Sequence, residues 1–253
     1  MLIKVGDIIL NSWEMYIKNF KKLWPYMIFL FLPNFILGIT GIISLYLDRY
    51  ATSGIFILSN NLIVLAILAV CVIFTLWAAM ALAKNLGNIV NKKTFALYKN
   101  TFSLTSHLIW PAIYTFLLLF LIIIGGTLLL IIPGIIFMVW FSFTYLIVIF
   151  EEKRGVAALM ESKKMVTGRW WAILWRFLGP GIFFAVIYLI ISYFLTFIIG
   201  LIFSGFTFFV INGIFASILS AVIAPLTALA TIILYFKAKE APVPVNPVIK
   251  ANK

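Results

Sequence analysis

Apolar residues run along this chain in six long stretches, approximately 24–47, 62–83, 108–132, 133–150, 171–199 and 211–236. Each approaches or exceeds the ~20 residues that cross a bilayer core at 1.5 Å rise per residue. The pattern predicts six transmembrane helices and no strands. The third and fourth should form a tight hairpin turning at Ile132-Pro133-Gly134, the only residues left to reverse the chain.

The intervening segments have a different rhythm. Lys4, Asp7, Asn11, Glu14, Lys18, Lys21 and Lys22 recur at spacings of three and four, opposite Val5, Ile9, Trp13, Tyr16, Phe20 and Leu23. That pattern predicts an amphipathic helix over 2–23 lying in the headgroup plane. Phe95, Tyr98 and Phe102 predict a second over 92–106, and Val156, Leu159, Met160 and Val166 a third over 153–168. The unit of interfacial helix, aromatic anchor and transmembrane helix thus occurs three times. The first two copies share Trp24-Pro25 and Trp110-Pro111; the first and third share Ser12 and Ser162, each eight residues before an aromatic. We read this as an internal duplication. In the sixth stretch Ala216, Ser220, Ala224 and Ala228 form a small-residue stripe, which predicts a centrally packed helix with close backbone approach. Residues 1–238 read as a single membrane domain, and 239–253, with Pro242, Pro244 and Pro247, as an extended tail.

Composition fixes the class. A chain 65% hydrophobic and 10% charged lacks the polar surface to cover a soluble core. The net charge of +12 is not a nucleic-acid signature, because the basic residues lie between apolar spans. Every Lys and Arg except Arg49 falls before the first span, in 84–107, in 151–170, near the start of the fifth span (Arg176) or in the C-terminal segment. The positive-inside rule then places both termini in the cytoplasm, and we expect an integral protein of the plasma membrane. Lys18, Lys21, Lys22, Lys92, Lys93, Lys163, Lys164 and Arg169 are the candidate contacts to anionic lipid, each worth roughly 1 kcal/mol near the surface. Membrane lipids and a membrane-protein partner are the expected partners. No uncharged signal-peptide core precedes the first span, so the mature chain should begin near Met1.

Candidate chemistry is sparse. The single cysteine, Cys71, lies within an apolar stretch, and the single histidine, His107, belongs at the interface beside Trp110. Glu151, Glu152 and Glu161 stand among Lys153, Arg154, Lys163 and Lys164, as charge balance and not as an acid/base pair. No catalytic, metal-binding or cofactor-binding set emerges. No ionisable residue sits at the centre of a span, which argues against a proton-coupled pump. Arg176, a turn or so inside the fifth span, should snorkel to the cytoplasmic interface. Prolines do interrupt the helices at Pro33-Asn34, Gly179-Pro180-Gly181 and Pro225, and broken helices can expose backbone groups to a substrate. Pro33, Asn34, Arg176, Pro180 and Pro225 form the candidate intramembrane polar site, with Asn34 placed to repair the kink at Pro33.

Ile132-Pro133-Gly134-Ile135 opens a span ending at Phe150-Glu151-Glu152, followed by Gly155-Val156-Ala157-Ala158-Leu159, Ser162 and Thr167-Gly168-Arg169-Trp170-Trp171. This stretch, with Asn91-Lys92-Lys93-Thr94-Phe95 and the six-span layout, resembles the membrane domain found with some glycerophosphodiester phosphodiesterases and also as free-standing proteins. The resemblance implies a membrane domain without its own chemistry. The soluble catalytic barrel of those enzymes has no counterpart in these residues, so their hydrolytic residues map nowhere. The expectation is a non-catalytic, lipid-interacting or scaffolding membrane protein. The alternative is a carrier of a lipid or small neutral solute using the kinked first, fifth and sixth helices.

Overall fold

The computed structural model describes residues 2–50, 54–129 and 131–241, with side chains described outside 45–60 and 129. Asp48, Arg49 and the tail prolines therefore lie outside the described side chains. The elements are α1 (Val5–Tyr50), α2 (Gly54–Val90), α3 (Tyr98–Ser106), α4 (Ile109–Leu129), α5 (Ile131–Trp140), α6 (Thr144–Glu151), α7 (Gly155–Val166), α8 (Trp170–Ile202) and α9 (Gly205–Glu240). No strand occurs among the described residues. Six stretches are long and apolar enough to span a bilayer: Val5–Ser44, Asn61–Val90, Ile109–Leu128, Ile131–Glu151, Trp170–Ile202 and Gly205–Glu240. The protein is an all-α polytopic membrane protein.

The outer surface has the character such a protein requires. On α8, Ile190, Phe194, Phe197 and Leu201 are each more than 60% exposed. Water would not tolerate that density of bare apolar side chains, whereas hydrocarbon does. Only 11% of the most apolar window of α8 is buried, against 50% for α9, so α9 is the central helix that the sequence predicts. Its most buried stripe, however, is Ser217, Ala221, Pro225, Leu229 and Ile233, one residue along from the expected small-residue stripe.

The first expected interfacial helix is not a separate element. Residues 5–23 continue without a break into the first span, as one helix of 46 residues and about 69 Å. Neither Pro25 nor Pro33 ends it. The face assigned to lipid divides in two. Ile8, Ser12, Tyr16 and Leu23 are buried in the bundle, while Trp13, Ile17, Phe20 and Trp24 remain exposed, and the lysine stripe occupies the third side. Tertiary bonds explain why the segment is held: Arg176 on α8 donates from Nε to the Ile3 carbonyl at 2.6 Å, and the Tyr16 hydroxyl donates to the Val222 carbonyl on α9 at 3.0 Å. The segment is a strut reaching across α8 and α9.

Two other expectations need correcting. The fourth span is not one helix over 133–150: α5 ends at Trp140 and α6 begins at Thr144. The break is held by buried Ser162 of α7, which accepts from the Phe143 amide at 3.1 Å and donates to the Trp140 carbonyl at 2.8 Å. Nor do Ile132-Pro133-Gly134 form the turn, since all three lie in the first turn of α5. Pro33-type disruption is absent there, because a proline in a first turn has no helical hydrogen bond to lose. A Cβ at Gly134 would collide with Thr127 of α4, so glycine lets the two helices close. The second interfacial helix is shorter than 92–106: residues 91–97 form a turn and extended segment, with Lys92 at φ 55°, before α3. The third, α7, matches its expected span.

Candidate functional site

Polar contacts bring the basic segments to one end of the bundle. Buried Asn85 of α2 has its amide nitrogen within hydrogen-bonding distance of the Tyr26 hydroxyl, the Ala96 carbonyl and the Thr101 hydroxyl, while its Oδ1 accepts from the Ala96 amide. The two amide hydrogens can serve only two of those acceptors at once. Lys84 donates to the Ile149 carbonyl at 3.1 Å, and Lys239 of α9 donates to Glu151 at 2.8 Å. Asn85 thus fixes the 91–97 segment against α1, and Glu151 ties α6 to α9.

At this end Lys21 and Lys22 of α1 meet Lys93 across a groove of about 640 Å³. Its remaining wall is Pro25, Thr94, Phe95, Leu97 and Tyr98. Leu97 and Tyr98 are exposed, and the Lys22 ammonium lies 5.9 Å from the Phe95 ring centroid. Among the described residues, no carboxylate forms an ion pair with Lys21, Lys22 or Lys93. Cations over an apolar floor match the two chemistries of an anionic lipid at the bilayer surface.

The other candidate lipid contacts are placed differently. Lys18 and Lys92 are exposed but lie outside the groove. Lys163 sits 4.4 Å from the Trp140 ring centroid, and Lys164 is 4.0 Å from Glu161. Arg169 is not a lipid contact. It is 8% exposed, and its guanidinium donates to the carbonyls of Met165, Ala238 and Ala241. These are carbonyls at the ends of α7 and α9, which lack helical donors and carry partial negative charge. Burial pulls the Arg169 pKa below its ordinary value, yet a guanidinium keeps its charge at neutral pH.

Glu151 accepts from the Tyr235 hydroxyl and pairs with Lys153 at 2.9 Å, and Lys153 also meets Glu161 at 2.9 Å. Hydrogen bonds to Glu151 and then Glu161 raise the Lys153 pKa. His107 stands 3.7 Å from Glu152 with both side chains half exposed. Lysines thus engage Glu151 and Glu161. Among the described residues no cluster of His, Cys, Asp and Glu could hold a metal, and Cys71 is buried and free.

The five kink residues do not converge on one site. Asn34 lines a half-open cavity of about 400 Å³ between α1, α2, α6 and α9, whose α9 wall includes Ser220, Ala224 and Ala228 of the small-residue stripe. The Asn34 amide donates to the Leu30 carbonyl at 2.9 Å, one residue from the Phe29 carbonyl that Pro33 leaves without a helical donor. Pro225 does not itself line this cavity, although Ala221 and Ala224 of the same helix do. Arg176 and Pro180 instead border a smaller cavity of about 160 Å³ on the other side of Thr227 and Thr231. Arg176 donates to Ile3, Leu2 and Ala172 carbonyls and so fastens the start of the chain to α8.

Sequence reasoning missed Asn85, Tyr26 and Tyr145. Asn85 carries the one available signal: an amide beside Lys84, with Asn88 one turn on, at the end of an apolar helix. Several of the residues behind the family resemblance hold helices together. Gly155 donates its amide to Thr115 at 2.8 Å, Ser162 bridges the α5–α6 break, and Trp170 donates to the Ile136 carbonyl at 3.4 Å. No protein-family model, curated protein or solved structure matches this chain.

Proposed function

We propose that this is a non-catalytic integral membrane protein that binds anionic lipid headgroups in the groove of Lys21, Lys22 and Lys93. The observation that carries the reading is the convergence of three lysines without carboxylate partners, from two separate elements, on a partly apolar floor. With the basic end cytoplasmic, as the positive-inside rule requires, the groove faces the anionic leaflet of the plasma membrane. The exposed row of Trp13, Ile17, Phe20 and Trp24 beside it would enter the acyl boundary. A scaffolding role for a membrane-protein partner fits the same surface.

At roughly 1 kcal/mol per lysine, replacing all three by Gln should weaken binding on the order of 100-fold. Native mass spectrometry of the full chain in mild detergent, titrated with phosphatidylglycerol or phosphatidylcholine, measures this. The parent should retain phosphatidylglycerol preferentially, and the triple variant should lose the preference. Equal retention of both lipids by the parent would sink the proposal. So would a preference lost only in the Lys163→Gln, Lys164→Gln pair. The second reading, carriage of an uncharged lipid or solute, is favoured by the half-open cavity that Asn34 lines.

A further inference from the structure

We infer that the cavity between α1, α2, α6 and α9 is a binding site for an uncharged amphiphile, an aliphatic body ending in a hydroxyl, of the long-chain alcohol or monoacylglycerol class. This site is separate from the basic groove and holds whether or not its occupant is moved across the bilayer. Its volume of about 400 Å³ falls in the range of small-molecule pockets. Most of the wall is aliphatic, from Leu30, Leu82, Leu146 and Ile232. No ionisable acid or base lines it, so a charged ligand would be buried without a counter-ion.

The polar groups of the wall specify the rest. Tyr145 is also a wall residue, but its hydroxyl oxygen is fully buried and turned away from the open space, so the ligand contacts fall to the other polar groups. Ser220 is another wall residue, and among the described residues no group pairs with its hydroxyl. Asn34 spends its amide nitrogen on Leu30 and keeps its Oδ1 acceptor. Ala221, also in the wall, has a carbonyl that loses its helical donor because Pro225 carries no N–H. Residues near three discontinuities therefore line one space: Leu30 and Asn34 near Pro33, Ala221 and Ala224 near Pro225, and Tyr145 and Leu146 after the break before α6. Within a membrane, unpaired backbone groups are tolerated where they line a cavity. The surplus is mainly of acceptors, with hydroxyls that can act either way, and a ligand hydroxyl complements both.

The test is photolabelling of the full chain in phosphatidylcholine nanodiscs with a diazirine-bearing dodecanol, mapped by peptide mass spectrometry. Label should appear at the cavity wall, on segments 30–34, 75–83 and 220–232. Unlabelled dodecanol should protect these segments about tenfold better than dodecane, the difference one hydrogen bond makes. Dodecanoate at pH 8 should protect poorly. Ala224→Phe, which fills the cavity, should abolish protectable labelling, whereas lipid-facing Ile190→Phe should not. Ser220→Ala, which is small enough to leave folding intact, should reduce the preference for alcohol over alkane severalfold. Label scattered over lipid-facing α2, α4 and α8 without protection would overturn the inference, as would equal protection by dodecanol and dodecane. Protectable wall labelling that persists in the Lys21, Lys22, Lys93 triple Gln variant separates this site from the groove.

Discussion

Replacing Arg169 by Met should destabilise the fold without affecting recognition of anionic lipid. Methionine keeps the aliphatic stem that packs between α7 and α9 but removes all three guanidinium bonds. A hydrogen bond to a charged group contributes about 1.5–3 kcal/mol. The Ala241 carbonyl belongs to a partly exposed residue and can turn to water, so its share is small. The Met165 bond is local, within the turn that joins α7 to α8. The Ala238 bond joins distant parts of the chain in a buried setting and counts in full. The expected loss is about 3 kcal/mol, and Arg169→Lys should recover less than half because one ammonium cannot span three carbonyls. For a chain of this length each kcal/mol moves Tm by roughly 2–4 °C, which gives a drop of roughly 6–12 °C. Cys71, the lone and buried cysteine, is a built-in reporter: a thiol-reactive fluorophore reads its exposure during heating in mild detergent. A Tm within about 2 °C of the parent, together with lost phosphatidylglycerol retention, would refute the reasoning and return Arg169 to the lipid-contact set.

Ser162→Ala should cost about 2–3 kcal/mol, since it leaves the Phe143 amide and Trp140 carbonyl unpaired in a buried break. Ser12→Ala, which removes only a bond to the Ile8 carbonyl one turn back, should cost less than about 1 kcal/mol; the same thiol-exposure melt compares them. Asn85→Leu should abolish preferential phosphatidylglycerol retention although it removes no charge, because the 91–97 segment that carries Lys93 loses its anchor. Unchanged retention in native mass spectra would mean that the groove forms without Asn85.

Six apolar stretches gave the class, the number of spans and the gathering of charge, because length and hydropathy are local properties. What failed to show in the sequence depended on partners far along the chain. The helical stripe of 4–22 was correct, but nothing local says that Tyr16 will meet Val222, so a strut looked like a free interfacial helix. Ser12 and Ser162 looked like equivalent positions of a duplication. One is an intrahelical back-bond and the other a bridge across a broken span, so the shared spacing does not extend to a shared role. The break at 141–143 has no proline or glycine to announce it; the run Phe141-Ser142-Phe143-Thr144 reads as ordinary apolar helix. Arg169 was misassigned for the same reason: its carbonyl partners at Ala238 and Ala241 lie about seventy residues away.

The placement of the seven acids decides which lysines remain for lipid. Glu151, Glu152, Glu161 and Glu240 all lie on the α6–α7–α9 side, where each meets a basic partner. On α1 the acids are Asp7, Glu14 and, outside the described side chains, Asp48; Glu14 stands one turn from Lys18, the spacing at which opposite charges support a helix. Lys21 and Lys22 have no carboxylate three or four residues away in either direction, and the 91–98 segment has none at all. Eight similar-looking cations thus separate by context. Arg169 at the helix ends, Lys163 over Trp140 and Lys164 beside Glu161 make contacts within the fold. The groove lysines keep the uncompensated charge, and a lipid phosphate is the available counter-ion at a membrane surface. Neutralising Lys163 and Lys164 should accordingly register mainly in stability and neutralising Lys21, Lys22 and Lys93 mainly in lipid retention, although one amphipathic pattern in the sequence covers both sets.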